Sequence, residues 1–203
     1  MTKRGAVIVA AGAGTRLGGV AKALLRTPAG LTFLEQIVAT VHTVGIDSII
    51  VVVGAPHGLE VANHARELGL GVVVNPKPER GMASSVALGF AAISESDCEA
   101  AWLWPVDHPD VAHETLVALV AALPGHEVAR PVFASDAVGT RGGHPPLVAR
   151  ALWSRLAACT YLPNGARDAM AGANIVEVIV DDAGCVRDVD TATDLEALER
   201  SDQ

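Results

Sequence analysis

Aromatic side chains and basic residues are both scarce in this 203-residue chain. Phe, Trp and Tyr make up 3% of it, so we do not expect an aromatic platform for stacked bases. Lys and Arg number 15 against 23 Asp and Glu, which gives a formal net charge of −8. This balance disfavours nucleic acid and anionic membrane surfaces as partners.

Cysteine is scarce too, with three residues that lie far apart: Cys98, Cys159 and Cys185. No pair has the close spacing of a zinc site, and the odd number implies no disulfide framework. No uninterrupted apolar run approaches the roughly 20 residues that a membrane-spanning helix needs. The sequence therefore predicts a cytoplasmic protein with no membrane partner.

Hydrophobic residues make up 50% of the chain, enough for a buried core. Short apolar runs bounded by Gly, Asn, Asp or Pro predict strands buried on both faces, at residues 6–11, 49–53, 70–74, 100–106 and 175–180. Segments of helical periodicity lie at 32–44, 59–68, 84–93, 113–123 and 193–200. Thr32 with Glu35, and Thr193 with Glu196, have the spacing of capping boxes.

Strands that alternate with helices favour an α/β fold. We expect a single doubly wound domain over residues 1–203, with a mainly parallel sheet, helices on both faces and the first strand at its centre. The one long connection, residues 134–146, is rich in glycine and has no periodic pattern. Long loops in compact domains are often functional, so this one is a candidate lid.

The segment after the first predicted strand, residues 10–22, is rich in glycine and carries Arg16 and Lys22. Glycines permit positive φ angles and bring N–H groups close to an anion. Gly12, Gly14 and Gly18 are spaced one residue too widely for the dinucleotide fingerprint, and the Gly-Lys-Ser/Thr of a P-loop is missing. Two interpretations stay open: a loop whose two cations neutralise a triphosphate, or a tight turn with two solvated cations.

An ordered set of short motifs runs from about residue 5 to residue 198. Its members are Ala10-Ala11-Gly12 with Arg16, Leu17, Gly18 and Lys22; Asn75-Pro76; Gly81-Met82-Ala83-Ser84-Ser85; Asp107-His108-Pro109; Arg141-Gly142-Gly143-His144-Pro145; Gly165-Ala166-Arg167; and Asp188-Val189-Asp190-Thr191. The set resembles the small MobA-like NTP transferases, and within them the molybdenum cofactor cytidylyltransferase group. His108 stands where that group has glutamine, and an additional glycine separates Arg141 from Gly143-His144.

The resemblance implies an enzyme that moves CMP from CTP onto the phosphate of molybdopterin or molybdenum cofactor and releases pyrophosphate. Arg16, Lys22 and Asp107 are its catalytic candidates, and Asp107 with Asp190 would hold Mg²⁺. Nucleotide contacts are expected from Ala10, Ala11, Gly12, Gly14, Lys22, Asn75, Gly81, Ser84 and Ser85. Acceptor contacts are expected from Arg141, His144 and Arg167.

Other interpretations of these residues stay open. Asp107 could cap a helix that begins near Ala112, and Asp190 could be a turn residue. CTP is preferred over GTP because Ala10-Ala11-Gly12 accompanies cytidylyl transfer in the resembled group. The acceptor could instead be a sugar phosphate, an alditol phosphate or phospholactate. A nucleotide-binding regulator or assembly partner is the non-enzymatic alternative, and transient contact with molybdoenzyme maturation proteins is the protein partnership to expect.

Overall fold

The computed structural model describes residues 2–135 and 139–200, so residues 136–138 of the predicted lid lie outside it. Its strands are β1 (Arg4–Val9), β2 (Ser48–Gly54), β3 (Gly71–Asn75), β4 (Ala100–Pro105), β5 (Val128–Ser135), β6 (Gly139–Gly142), β7 (Leu147–Ala149) and β8 (Ile175–Val180). Its α-helices are α1 (Phe33–His42), α2 (Gly58–Glu67), α3 (Met82–Ile93), α4 (His113–Ala122), α5 (Trp153–Ala157), α6 (Ala166–Ala169) and α7 (Ala192–Arg200).

The strands form one sheet in the order β3-β2-β1-β4-β7-β5-β6, with β8 paired to β5. Strand β1 lies between β2 and β4 and is parallel to both, as are β3 to β2 and β8 to β5. Strands β6 and β7 pair antiparallel with their neighbours. The predicted doubly wound α/β fold with a mainly parallel sheet and a central first strand is confirmed.

Helices cover both faces of the sheet because the side chains of its central strands alternate between two cores. On β1, Ala6 and Ile8 join the core beneath α1, α2 and α4. Val7 and Val9 join the core beneath α3 and α5. Both cores require apolar residues, which explains why the strand is apolar at consecutive positions. None of the helices in the described ranges is long and apolar enough to cross a membrane.

The two outer strands β3 and β8 differ from their prediction. Each pairs with a single strand of the described sheet, and their outward side chains are exposed, Val74 by 59% and Ile179 by 75%. The prediction that residues 70–74 and 175–180 are buried on both faces is therefore wrong. An apolar run reports β-propensity, but the position of a strand within the sheet decides how much of it is covered.

Residues 139–146 of the predicted lid also contain regular structure that the sequence did not predict. Thr140 and Arg141 belong to β6, which pairs with β5 opposite Ala134 and Phe133. Beyond β6, the Gly143 N–H donates to the Pro131 carbonyl at 2.8 Å. A short edge strand of Gly, Thr, Arg and Gly carries no apolar alternation, which is why periodicity did not reveal it.

Of the two predicted capping boxes, one is confirmed and the other is wrong. Thr32 and Glu35 form the expected reciprocal capping box of α1. Helix α7 begins at Ala192, and its start is closed by Thr191 and Asp194 instead of Thr193 and Glu196. The Asp194 carboxylate accepts hydrogen bonds from the Thr191 N–H and hydroxyl, both at 2.7 Å. This arrangement fixes the chain that carries Asp190.

A buried carboxylate that sequence reasoning did not single out supports the start of α4. Asp182 accepts hydrogen bonds from the Ala112 N–H at 3.0 Å, from the Thr115 hydroxyl at 2.6 Å and from the Gly184 N–H at 2.9 Å. Three donors satisfy its oxygens, so the group can be buried without a large desolvation penalty. Asp182 thereby joins the start of α4 to the chain that follows β8.

We predict that Asp182→Ala lowers the free energy of unfolding by about 2 kcal/mol, because it leaves three donors unpaired in a buried place. Urea denaturation measures this loss. The neighbouring Asp181 is exposed, and Asp181→Ala should change stability by less than about 0.5 kcal/mol. Equal effects of the two substitutions would contradict the capping role.

Candidate active site

The carboxyl ends of β1 and β4 open onto a small cavity at one edge of the sheet. This cavity, here the first pocket, has a volume of about 230 Å³. It is lined by Val9, Ala10, Ala11, Gly12, Lys22, Pro78, Gly81, Met82, Ser85, Pro105, Val106 and Asp107. Ligands of open α/β sheets bind at this edge, so the position is that of a ligand site.

The glycine loop that borders the first pocket is shaped by left-handed backbone. Gly14, Gly18 and Gly19 have φ angles of 58°, 79° and 79°. At Gly14 a side chain would also collide with the carbonyl of Val20. The loop closes on itself because the Leu17 and Gly19 N–H groups donate to the Gly14 carbonyl at 3.0 and 2.9 Å. Glycine is therefore required at position 14 for steric reasons.

The loop carries its two cations to two carboxylates from distant parts of the chain. The Lys22 Nζ lies 3.1 Å from the Asp107 Oδ2 and also contacts the Asp190 Oδ1. The Arg16 guanidinium donates to the Asp190 Oδ2 at 2.9 Å. All four catalytic and metal candidates from the sequence thus meet in one cluster, beside the glycine loop as expected.

The ion pairs of this cluster shift the pKa values of Lys22 and Asp190. Burial alone would lower the pKa of Lys22, but hydrogen bonds and attraction to Asp190 and Asp107 outweigh it and raise the pKa. The hydrogen bond from Lys22, with help from Arg16, holds the pKa of Asp190 below its usual value. Both effects favour an ammonium and a carboxylate at neutral pH.

The structure separates the two interpretations of Asp107. Asp182, and not Asp107, accepts the N–H at the start of α4. The backbone carbonyl of Asp107 accepts the Val189 N–H at 2.9 Å, which places Asp190 next to it. Likewise the turn before α7 is closed by the carboxylate of Asp194, which leaves the Asp190 side chain to Lys22 and Arg16.

The carboxylates of Asp107 and Asp190 suit a divalent cation. They converge on one positive charge, the Lys22 ammonium, and their side chains are 21% and 29% exposed. Oxygen ligands of this kind suit Mg²⁺, which keeps several waters and needs only one or two protein carboxylates. In the described ranges no cluster of three or more His, Cys, Asp or Glu forms a complete cage.

Asn75, Ser84 and Ser85 lie beside the first pocket, but they bond mainly to one another. The Asn75 amide donates to the Ser84 and Ser85 hydroxyls at 2.8 and 2.9 Å, and the Ser84 hydroxyl donates to the Gly81 carbonyl at 2.7 Å. All three residues are buried, and of them Ser85 lines the pocket. Helix α3 begins at Met82, so the serines lie in its first turn instead of capping it. Asn75 and Ser84 therefore position the loop before α3.

A larger cavity adjoins the first pocket at Gly81, Met82 and Pro105. This second pocket has a volume of about 930 Å³ and extends past α3 and β5 to α6. Much of its wall is apolar, with contributions from Ala83, Val86, Leu103, Val128, Leu162, Met170 and Ile175. The charged side chains among its described lining residues are Arg80, Arg130 and Arg167. An anionic ligand with an apolar body fits this lining.

His144 lies in the wall of the second pocket beside His108, with ring centroids 5.0 Å apart. Burial, together with the neighbouring His108, lowers the pKa of His144 to about 4. The Nδ1 atoms of both rings are buried without a hydrogen-bond partner. His144 is accordingly a neutral hydrogen-bonding group at pH 7 and not a cation.

Of the two arginines predicted to bind the acceptor, Arg167 lines the second pocket and Arg141 does not. Arg141 pairs with Phe133, whereas its neighbour Gly142 faces the Arg130 guanidinium. Successive side chains of a strand point to opposite faces, so Arg141 starts from the other face of the sheet. The role of Arg141 stays a prediction, and Arg130 is an arginine of the second pocket that sequence reasoning did not single out.

The lysine and the two carboxylates lie at the carboxyl edge of the sheet, where open α/β folds bind their ligands. Residues 6–178 match the model of the MobA-like NTP transferase domain. The chain therefore belongs to the family of MobA-like NTP transferase domains. The narrower prediction, the molybdenum cofactor cytidylyltransferase group, stays a prediction.

Individual relatives agree with this assignment. The "Bifunctional IPC transferase and DIPP synthase" of Rubrobacter xylanophilus is 44% identical over 95 residues, which make up 45% of this chain and 22% of that protein. The match thus spans about a fifth of that curated relative's length. The crystal structure of Rv0371c from Mycobacterium tuberculosis H37Rv is similar over 98% of both chains, with 29% identity and a TM-score of 0.78.

Two further structures support the fold. A complex of Rv0371c with manganese covers 98% of this chain and 100% of its own, with 24% identity and a TM-score of 0.73. Molybdopterin-guanine dinucleotide biosynthesis protein A from Archaeoglobus fulgidus covers 97% of each chain, with 14% identity and a TM-score of 0.67. At these identities the similarity establishes the shared architecture alone.

We predict that Lys22→Met tightens Mn²⁺ binding in the absence of nucleotide by about tenfold, because the ammonium competes with the metal for the same two carboxylates. Isothermal titration calorimetry measures the change. Lys3 pairs with Asp97 outside this site, so Lys3→Met is the matched control and should bind Mn²⁺ like the unchanged protein. Weaker binding by Lys22→Met would show that the lysine is needed to hold the carboxylates together.

Proposed function

We propose that the chain transfers CMP from CTP to the phosphate of an anionic acceptor, molybdopterin or molybdenum cofactor, and releases pyrophosphate. The observation that carries this proposal is the position of Lys22. It lies between Asp107 and Asp190 and lines the first pocket, which adjoins a second pocket whose charged side chains, among the residues that the structure describes, are arginines. A phosphorylated acceptor in the second pocket would reach a nucleotide held in the first.

In the proposed reaction an oxygen of the acceptor phosphate attacks the α-phosphorus of the nucleotide. A new phosphorus–oxygen bond forms as the bond to the β-phosphate oxygen breaks, and pyrophosphate leaves with that electron pair. Catalysis of this kind depends on positioning and on neutralising negative charge. Lys22 and Arg16 supply the positive charge from the loop, while Gly12 and Gly14 allow the backbone to approach the phosphates.

Asp107 and Asp190 are the residues that would hold Mg²⁺, which would neutralise phosphate charge and orient the reacting groups when bound. For this to happen Lys22 must leave the two carboxylates that it contacts in the structure. The triphosphate offers Lys22 and Arg16 replacement partners of the same charge. We infer that nucleotide and metal bind together and that each strengthens the binding of the other.

The acceptor is proposed to lie in the second pocket, against Arg167 and His144. The apolar wall of this pocket favours an acceptor with a ring system over a small sugar phosphate, alditol phosphate or phospholactate. A nucleotide-binding regulator that catalyses no reaction is disfavoured. Lys22, Arg16 and the two carboxylates meet in one cluster, as the proposed nucleotidyl transfer requires. A cytoplasmic location and transient contact with molybdoenzyme maturation proteins stay predictions.

Release of pyrophosphate tests the proposal directly. The protein is incubated with Mg²⁺, each of the four NTPs in turn, and molybdopterin, a sugar phosphate, an alditol phosphate or phospholactate as the acceptor. We expect release that depends on both CTP and molybdopterin. Pyrophosphate release with a different acceptor would support nucleotidyl transfer but contradict molybdopterin as the acceptor. If no combination of NTP and acceptor releases pyrophosphate, the protein is better explained as a nucleotide-binding regulator.

We predict that Asp107→Asn lowers metal-dependent turnover by about a thousandfold or more, because it removes a carboxylate from the metal and from Lys22. The free energy of unfolding should change by less than about 1 kcal/mol, because the partly exposed pair contributes little net stability. Steady-state kinetics and urea denaturation measure the two quantities. Asp181→Asn is the control and should retain full turnover.

The nucleotide preference has its own test at Ala11, whose methyl group faces Gly54 at the rim of the first pocket. We predict that Ala11→Gly reduces the preference for CTP over GTP severalfold, because it removes a methyl group that narrows the space beside a purine. Titration with both nucleotides in the presence of Mg²⁺ measures the ratio. Tighter binding of GTP than of CTP by the unchanged protein would contradict the proposed preference.

A further inference from the structure

The chain contains one tyrosine, and its ring lies at the protein surface. Tyr161 is 82% exposed, whereas the three tryptophans and two of the three phenylalanines are buried in the cores. It ends the short 3-10 helix Cys159–Tyr161, and the residues on either side of it, Thr160 and Leu162, line the second pocket. Tyr161 thus lies at the rim of this pocket, and core packing does not explain its ring.

The side chain that faces this ring is Arg80. The Arg80 Cζ lies 5.8 Å from the centroid of the Tyr161 ring, within the range in which a guanidinium is attracted to an aromatic face. The helix that carries the ring is fixed to the start of α3, because the Cys159 thiol and the Thr160 hydroxyl donate to the Ala83 carbonyl at 3.3 and 3.4 Å. The ring therefore limits the positions that the Arg80 guanidinium adopts.

Arg80 is accessible and has no acidic partner among the described residues. It is an exposed residue of the pocket lining, and it takes part in none of the ion pairs that join described side chains. Arg130, by contrast, already contacts Glu177. An anion that reaches Arg80 does not have to displace a carboxylate from it, so the N–H groups of this guanidinium are available to a ligand.

Arg80 lies beside the junction of the two pockets. The two residues that follow it, Gly81 and Met82, line both pockets. The other arginines of the second pocket, Arg130 and Arg167, belong to segments that do not line the first pocket. An acceptor phosphate has to come to this junction to reach a nucleotide in the first pocket. Of the charged residues in the described lining of the second pocket, Arg80 is the one next to that place in the chain.

We propose that Arg80 binds the phosphate of the acceptor and that Tyr161 is the positioning residue that holds its guanidinium beside the junction. This inference rests on the proposed function, since it takes the second pocket to be the acceptor's place. The acceptor class is a phosphate monoester of an apolar ring system, because the apolar wall takes the body of the molecule and Arg80 takes its phosphate. Lys22 and Arg16 stay with the triphosphate, so different cations hold the two reacting phosphates.

FMN and riboflavin test the proposal without turnover. The two molecules share a planar ring system and a side chain, and FMN carries a phosphate monoester where riboflavin has a hydroxyl group. Titration of each flavin with the full chain, followed by flavin fluorescence, should give about tenfold tighter binding of FMN, the gain expected from charge-assisted hydrogen bonds to one guanidinium. Equal affinities, including no measurable binding of either flavin, would overturn the proposal.

Variants locate the preference for FMN. Arg80→Gln should abolish it. Tyr161→Leu should reduce it about threefold, in line with an exposed cation–π contact, whereas Tyr161→Phe keeps the ring and should retain it. Arg66, an exposed arginine of α2 on the opposite face of the sheet, provides the matched control Arg66→Gln, which should also retain it. An undiminished preference in Arg80→Gln would overturn the phosphate site, and equal effects of the Leu and Phe substitutions would overturn the role of the Tyr161 ring.

Binding and transfer are measured separately, so the two proposals can fail separately. The unfolding temperature of each variant shows that it is folded. If pyrophosphate release fails but the flavins differ as expected, the transfer reaction is wrong and the Arg80 site stands. If transfer succeeds, Arg80→Gln should raise the KM for molybdopterin about tenfold and leave the KM for CTP unchanged. An unchanged KM for molybdopterin would overturn the Arg80 site and leave the transfer reaction intact.

Discussion

The Lys22 ammonium between two carboxylates holds the active site together. It connects the loop after β1 with the end of β4 and with the segment before α7, which lie 85 and 168 residues further along the chain. Without a cation, Asp107 and Asp190 would repel each other at short range. A partly buried ion cluster contributes little net stability to a fold. Its presence at the carboxyl edge of the sheet therefore supports the proposed binding of a divalent cation and a polyphosphate there.

The cluster also explains how a strongly charged substrate could enter without a large electrostatic cost. Arg16 and Lys22 balance the charges of Asp107 and Asp190 through direct ion pairs. A metal–triphosphate complex brings both signs of charge, so each protein group can exchange its partner for one of the same sign. The backbone beneath them need not move, because the Val106 N–H donates to the Val9 carbonyl and the Val189 N–H to the Asp107 carbonyl.

Residue patterns predicted the parts of the molecule that depend on local sequence. Continuous apolar runs located the central strands, and the Thr32–Glu35 spacing located a helix start, because both signals act over a few residues. Motif resemblance brought Arg16, Lys22, Asp107 and Asp190 together, although no local rule links residues so far apart. Prediction failed where the position of a side chain depends on residues far away in the sequence. Which face Arg141 occupies depends on its pairing with Phe133, and the capping role of Asp182 depends on a contact 70 residues away along the chain.

The two halves of the sheet differ in strand direction: β1 to β4 are parallel, whereas β6 and β7 pair antiparallel with their neighbours. Parallel strands present loops at one edge, and these loops carry the groups of the first pocket. Beyond β4, antiparallel strands place side chains such as Arg130 directly in the wall of the second pocket. Gly143 and His144, which the sequence suggested as part of a lid, are tied to the Pro131 and Cys185 carbonyls at 2.8 and 2.7 Å. A wall fixed in this way would select ligands by its existing shape and charge, so if the proposed acceptor binds there, residues in the strands would decide its specificity more than closure of a loop.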